Sequence, residues 1–378
     1  QGFGRGPTFL RVEHVRPAIA RGAVPMTMTN GHLEERRDSS MPSDAAQDAA
    51  LLFAVPKKGR LHEEVMKMLA GAGLDAKRPD RLDVALCKDL PVKLVFLPAA
   101  DIPAYVMEGS CDLGISGSDV LEECLSDPYM PCADVRSQVK ALIPLGFGKC
   151  DLCVQAPRVL EAKDPHVFVG RRVVTSFPNL ARRFFQGLET SASGAEPLRS
   201  RLADFAPEAR GQAQGPTQAA EKCKTAIKVV SGSVEAACGL GLADAIVDLV
   251  ETGTTMRAAG LEIVAKVFQS EALLFQQVAS EKSAAKSELI KLILQRIQGY
   301  LTATRHQMVV CNVHKDTLEK VCEIMPGKRA PTVTALADEN WLSVSSLVAK
   351  SKLNTVMDQL TDAGAKDVLC FALANTRA

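Results

Sequence analysis

Short, wholly apolar runs that end in a polar loop and lead into a stretch of helical period constrain this chain more than any other feature. Leu51-Leu52-Phe53-Ala54-Val55 is the first. Its lack of alternation predicts a strand buried on both faces, as in a parallel sheet flanked by helices. The loop Pro56-Lys57-Lys58-Gly59-Arg60 follows, then a helix from Leu61 to Ala70 stopped by Gly71 and Gly73. The unit recurs with a strand at 92–97 and a helix capped by Asp101 that runs to Met107. A strand at 112–117 and a helix at 120–124 come next. Strands at 173–175, 227–230 and 245–250, with helices at 179–185 and from Val234, make a second series. Strands alternating with helices in this way predict an α/β fold.

The last part of the chain has a different order. After a helix at 289–297, strands at 307–311, 332–336, 341–347 and 368–373 and helices at 317–324 and 353–361 run β-α-β-β-α-β, as in a ferredoxin-like module. Residues 186–225 are largely low in complexity and read as an insertion. The chain opens on Gln1 rather than Met and reads as a piece of a longer one. Up to His32 its only acid is Glu13, against Arg5, Arg11, Arg16 and Arg21. That composition fits an organelle transit peptide, and a disordered extension fits it equally. The expected compartment is therefore the cytoplasm, or the plastid stroma if the segment is a transit peptide.

Charge and cysteine usage narrow the function. Lys plus Arg number 45 and Asp plus Glu 44, and aromatics are 4% of residues, so the basic excess and stacking platforms of a nucleic-acid binder are missing. No apolar run reaches the roughly 18 residues of a membrane span. The 11 cysteines lie mostly in apolar segments, which predicts thiols in a reducing compartment. Cys150 and Cys153 form a CxxC without a second cysteine or histidine pair, and are expected to be two buried thiols.

The most informative local pattern runs from Asp244 to Thr255. A hydrophobic strand bearing Asp248 ends in Glu251-Thr252-Gly253-Thr254-Thr255. Successive amides in such a bend make an anion cradle, Gly253 lets the backbone approach a phosphate, and the threonines add donors. Acids just upstream suit ribose hydroxyls or Mg²⁺. Thr-Gly-Thr-Thr alone is equally an ordinary helix start with a threonine cap; the acids favour a ribose 5-phosphate. Lys57, Lys58 and Arg60 follow a strand's carboxyl end, where open α/β sheets bind ligands, and suit a pyrophosphate or triphosphate. Glu235, after Ser231-Gly232-Ser233-Val234, is a second carboxylate placed for a ribose. Arg182 and Arg183 are further candidate cations.

These stretches, with AVPKKGRL (54–61), DIPAYVMEGSCDLGISGSDVLEE (101–123), VVTSFPNLARRFF (173–185) and VVSGSVEAACGLGLADAIVDLVETGTTMRAAGL (229–261), resemble the long-form ATP phosphoribosyltransferase family. The tail segments 296–310, 326–336 and 364–369 resemble its C-terminal regulatory domain. The resemblance implies a two-lobed, periplasmic-binding-protein-like catalytic core plus a ferredoxin-like (ACT-like) domain. Lobe I would comprise 51–141 plus about 262–285, lobe II 142–261, and the regulatory domain 286–378. It implies Mg²⁺-dependent transfer of phosphoribosyl from phosphoribosyl pyrophosphate (PRPP) to N1 of ATP, the first and histidine-inhibited step of histidine biosynthesis. Glu235, Asp248, Glu251, Thr252, Gly253, Thr254 and Thr255 would bind PRPP. Lys57, Lys58, Arg60, Asp112, Ser116, Gly117, Thr175 and Ser176 would serve ATP and phosphates. Lys58 and Arg60 would stabilise charge, with no dedicated nucleophile. Mg²⁺ would be held mainly by substrate phosphates. Asn312, Thr332 and Asp367 would line a pocket for L-histidine in a homo-oligomer, a dimer or hexamer. Two rivals are a solute-binding protein, which lacks the acid–Gly/Thr bend, and an orotate-type or purine phosphoribosyltransferase, which lacks the C-terminal module.

Overall fold

A computed structural model describes residues 50–76, 82–127, 139–190, 223–278 and 283–377. The expected targeting extension and most of the insertion lie outside the described residues; 186–190, expected in the insertion, are the last turn of a helix.

The first lobe begins with β1 (Leu51–Pro56), α1 (His62–Gly71), β2 (Val84–Leu86), β3 (Val92–Leu97), α2 (Ile102–Met107), β4 (Leu113–Gly117), α3 (Ser118–Leu125) and β5 (Val139–Pro144). β1 lies between β3 and β4, parallel to both, with Leu51, Phe53, Ala54 and Val55 fully buried. Asp101 makes no side-chain cap on α2, contrary to expectation.

The second lobe holds β6 (Cys150–Pro157), β7 (Arg172–Thr175), α4 (Pro178–Thr190), β8 (Ala226–Val229), α5 (Ala236–Gly239), β9 (Ala245–Val250), α6 (Thr254–Ala258) and β10 (Leu261–Ser270). Its sheet order is β10-β6-β9-β7-β8, with β7, β8 and β9 mutually parallel. One residue after β10, β11 (Ala272–Gln277) returns to the first sheet, whose order is β2-β3-β1-β4-β11-β5. Hence the first lobe ends differently from the expected boundaries. β10 belongs to the second sheet because it pairs antiparallel with β6, and β5 continues past 141 to Pro144.

Two chain crossings join the lobes, 145–149 and Glu271, and they touch. Leu145 N donates to Ala272 O, and Ala272 N donates to Phe147 O. A third tie comes from α3. Glu123 accepts Asn179 N at Oε1 (2.7 Å) and Leu180 N at Oε2 (2.9 Å), capping α4 of the opposite lobe. Two orphan helix amides are thereby satisfied by a side chain from another element. Burial raises the Glu123 pKa against the pull of those two amides. Replacing Glu123 by alanine is expected to cost about 2 kcal/mol in chemical denaturation, whereas glutamine, which keeps one acceptor, costs less.

α7 (Ala284–Arg305) carries Ile290, Ile293, Ile297 and Leu301 into the core of the first sheet. It was expected to open the regulatory domain, yet its apolar stripe packs against lobe I. The third unit follows: β12 (His306–His314), α8 (Leu318–Ile324), β13 (Thr332–Ala335), β14 (Trp341–Ala349), α9 (Leu353–Asp362) and β15 (Lys366–Ala372). The β-α-β-β-α-β order appears as expected, in an antiparallel sheet ordered β13-β14-β12-β15. α8 and α9 cover the face bearing Val309, Cys311, Val313 and Val344. On the other face Leu369 pairs with Val310 and Phe371 with Met308, and both Leu369 and Phe371 are exposed.

Candidate active site

β9 is buried at its start and opens toward its carboxyl end, because its last residues leave the second lobe's core for a bend. Gly253 sits at φ +71°, a left-handed conformation that costs a side-chain-bearing residue about 1–2 kcal/mol. This turns the chain into α6, whose first amides have no helical acceptor. Arg257 braces the bend: its Nη2 donates to Thr252 O (2.9 Å), and a Cβ on Gly253 would lie 2.9 Å from its Nη1. The Thr252 and Thr254 hydroxyls are 3.0 Å apart. Together Glu251 to Met256 line a cavity of about 250 Å³, with Leu249, Val250 and Arg60 completing it. Arg60 comes from the first lobe. The two loops singled out in the sequence therefore meet around one hollow.

Asp248 lies on β9 just before the lining residue Leu249 and does not itself line the cavity. Burial pushes its pKa up, the Leu249 amide (2.9 Å from Oδ1) pulls it down, and the Glu235 charge pushes it up again. A carboxyl whose folded pKa is raised stabilises the fold below its unfolded pKa, and that contribution is lost as pH rises through the folded value. At neutral pH the ionised group thus costs stability. Asp248→Asn is expected to raise the melting temperature at pH 7, with the gain vanishing toward pH 4 or below. Its kcat/KM should fall about 10- to 100-fold through loss of a charged hydrogen-bond acceptor.

Burial works against the Arg60 charge, yet Cys150, Asp119 and Glu251 around it raise its pKa above the ordinary value. Its Nη2 lies 3.6 Å from Oδ2 of the fully buried Asp119. Lys57 is held by Asp83 (2.8 Å). Lys58 is exposed and makes no ion pair among the described residues. Ser176 and Glu235 follow β7 and β8 on the sheet edge from which the bend emerges, and Ser176 is exposed.

Other candidates lie elsewhere. Asp112 precedes β4 and therefore sits at the amino edge of the first sheet, opposite the ligand edge. Its carboxylate accepts Leu52 N (2.9 Å) and Lys286 Nζ (3.0 Å), tying β1 and α7 together. Ser116 is fully buried and donates to Ala99 O (2.8 Å). Thr175 is likewise buried: its hydroxyl donates to Val247 O (2.7 Å) and accepts Phe177 N (2.9 Å), which shapes the turn after β7. None of the three lines the cavity. Gly117 does serve the ligand edge, since a Cβ there would collide with the Asp119 carboxylate. Arg182 bonds its own helix start at Asn179 Oδ1 (3.0 Å), whereas Arg183 pairs with buried Glu122 of α3 (2.9 Å) and so serves the contact between lobes. Cys150 and Cys153 are buried free thiols three residues apart on β6, hence on opposite faces, and burial lifts Cys153 to about 11. In the third unit Asn312 Nδ2 donates to Asp367 Oδ2 (2.9 Å), and Asp367 has φ +50°. Thr332 is two strands away across β14.

The family model described as ATP phosphoribosyltransferase matches residues 98–299, and that of the HisG C-terminal domain matches 303–375. An ATP phosphoribosyltransferase of Candida glabrata is 42% identical over 328 residues, covering 86% of this chain and 96% of the relative. The chain belongs to the ATP phosphoribosyltransferase family. With the C-terminal domain matched as well, it is of the long form. The Saccharomyces cerevisiae ATP phosphoribosyltransferase is also 42% identical, over 327 residues, with 86% of this chain and 96% of the relative covered. Among solved structures, an ATP phosphoribosyl transferase (HisG:HisZ) complex from Thermotoga maritima aligns at TM-score 0.45 and 22% identity, over 66% of this chain and 98% of that one.

Sequence reading missed Asp119 and Ser270 beside Arg60, the Glu123 cap, and the Arg257 brace. Arg257 alone left a trace, as a cation four residues after Gly253 on a short helix. The others depend on contacts between segments far apart in the chain.

Proposed function

We propose that the cavity between Arg60 and the Glu251–Thr255 bend seats the 5-phosphate of PRPP, and that the chain transfers its phosphoribosyl group to N1 of ATP. The products are phosphoribosyl-ATP and pyrophosphate, in the first step of histidine biosynthesis. The observation that carries this reading is the meeting of a first-lobe arginine with the second lobe's acid–Gly/Thr bend around one hollow. The bend's amides and threonines bind the phosphate, while Asp248 and Glu235 accept the ribose hydroxyls. Departure of pyrophosphate from C1 leaves an oxocarbenium-like sugar, so the residues act by orientation and charge, and no side-chain nucleophile is needed. Arg60 and Lys58 balance the phosphates; Lys57, already tied to Asp83, is the weaker candidate.

Among the described residues no three His, Cys, Asp or Glu side chains converge to hold a metal. A Mg²⁺ carried in on the substrate phosphates would meet Glu251, a carboxylate that lines the cavity. Bound there, Mg²⁺ would neutralise the pyrophosphate leaving group.

We assign catalysis to the two lobes and regulation to an ACT-like unit beginning at β12. Asn312 and Asp367 bind the amino end of L-histidine, and Thr332 of a second copy completes the pocket. The exposed Leu369 and Phe371 beside this pair support a homo-oligomer formed through that sheet face. Asp367→Asn keeps a residue tolerant of positive φ and removes the charge. It is expected to weaken histidine inhibition about tenfold while leaving the uninhibited rate unchanged. An unchanged inhibition curve would remove the histidine assignment. The transfer itself is tested by mixing the full chain with ATP, Mg²⁺ and PRPP and following ultraviolet absorbance. An adduct requiring both substrates is expected, and its absence would refute the assignment.

A further inference from the structure

Asp119 is the second residue of α3 and is fully buried. An acid in a helix's first turn is ordinary when solvated, but a buried carboxylate normally has both oxygens hydrogen-bonded. Here only one is. Ser270 Oγ donates to Oδ1 (2.7 Å) and accepts Asp119 N (3.0 Å), while Oδ2 accepts no hydrogen bond and faces Arg60 Nη2 at 3.6 Å. That separation is within ion-pair range and too long for a hydrogen bond.

The carboxylate has little freedom to turn. Gly117 lacks a Cβ where the Asp119 carboxylate lies. Ser270 is the last residue of β10, directly before the crossing to β11. Ser118 reinforces the join: its amide donates to Glu271 O (2.9 Å), and its hydroxyl accepts Glu271 N (3.2 Å). Arg60, by contrast, rides on a loop after Gly59 and would lose much rotamer freedom on meeting a phosphate. A fixed charge beside it removes part of that cost in advance.

We infer that Asp119 is a positioning residue: clamped through Ser270 to the join between the lobes, its Oδ2 holds the Arg60 guanidinium toward the phosphate cavity. Arg60 is thereby aimed from the point about which the lobes are connected. The inference rests on the assignment of that cavity to PRPP.

The test is a double-mutant cycle on the full chain with Arg60→Lys, Asp119→Asn and the pair, reading KM for each substrate, kcat and the melting temperature. Arg60→Lys is expected to lower kcat/KM for PRPP about 30-fold, and Asp119→Asn about 10- to 30-fold, with KM for ATP within about twofold of the parent. The double variant should fall no further than about threefold below the worse single one. A purely structural Asp119 would lower the melting temperature and leave the two losses independent. Wild-type kcat/KM in Asp119→Asn, or losses that multiply, would overturn the inference. An inert Arg60→Lys would instead remove the cavity assignment, and the inference with it. Should Asp119→Asn fail to fold, Ser270→Ala keeps the carboxylate and removes the hydroxyl that holds Oδ1 and the Asp119 amide. Its expected severalfold loss for PRPP should disappear in the Arg60→Lys background, and persistence there would overturn the inference.

Discussion

Replacing Arg60 by alanine is expected to lower kcat/KM about a thousandfold and to destabilise the protein by about 3 kcal/mol. The first effect follows from its position: it is the first-lobe side chain lining the cavity with the Glu251–Thr255 bend. A guanidinium offers a planar fork to a phosphate, and its removal leaves that charge unbalanced in a partly desolvated site. The second effect comes from Asp119, fully buried and facing Arg60 with an oxygen that accepts no hydrogen bond. Without the guanidinium a buried carboxylate loses its counter-charge. Kinetics and thermal unfolding on the same preparation separate the two. Adding Asp119→Asn to Arg60→Ala should recover much of the stability and none of the activity.

Much of this arrangement was legible in the sequence where physics is local. The strands β1, β3, β4, β7 and β9 and the bend after β9 were each expected within a few residues of where they lie. Their apolar runs and the small-residue, threonine-bearing pattern around Gly253 act over a handful of positions. β6, β10 and β11, which flank the crossings between the lobes, were not named. β10 mixes buried and exposed positions and shifts register twice against β6, so its sequence keeps no clean period. Asp112, Ser116 and Thr175 were expected at the substrate phosphates and lie outside the cavity lining for another reason. Each is a polar residue in or beside a strand, and a hydroxyl or carboxylate there reads alike whether it binds a ligand or a neighbouring backbone group. For Asp112 strand direction decides, since it precedes β4; Ser116 and Thr175 lie at carboxyl ends, but their hydroxyls turn inward onto Ala99 O and Val247 O. Arg183 illustrates the same limit, since its partner Glu122 lies far away in the chain.

Gly253→Val is the second large effect expected, a loss of kcat/KM of about 100- to 1000-fold with only about 2 kcal/mol of stability lost. A β-branched residue is poorly tolerated at φ +71°. Its Cβ would also press on Arg257, whose other guanidinium nitrogen holds Thr252 O. The bend would have to open, and its amides would no longer converge on one anion. Gly260 provides the control. It too has φ +71°, but nothing lies within 4 Å of its would-be Cβ. Gly260→Ala should cost about 1 kcal/mol in denaturation and leave the kinetics unchanged. Equal activity losses at both positions would assign the effect to backbone strain alone.

The most direct evidence on the phosphate seat is a crystal structure of the full chain with PRPP and Mg²⁺. The 5-phosphate should lie within about 3 Å of the amides of Gly253, Thr254 and Thr255, with Arg60 reaching it from the other lobe. A 5-phosphate bound anywhere else, with the bend left to solvent, would contradict the reading of this cavity.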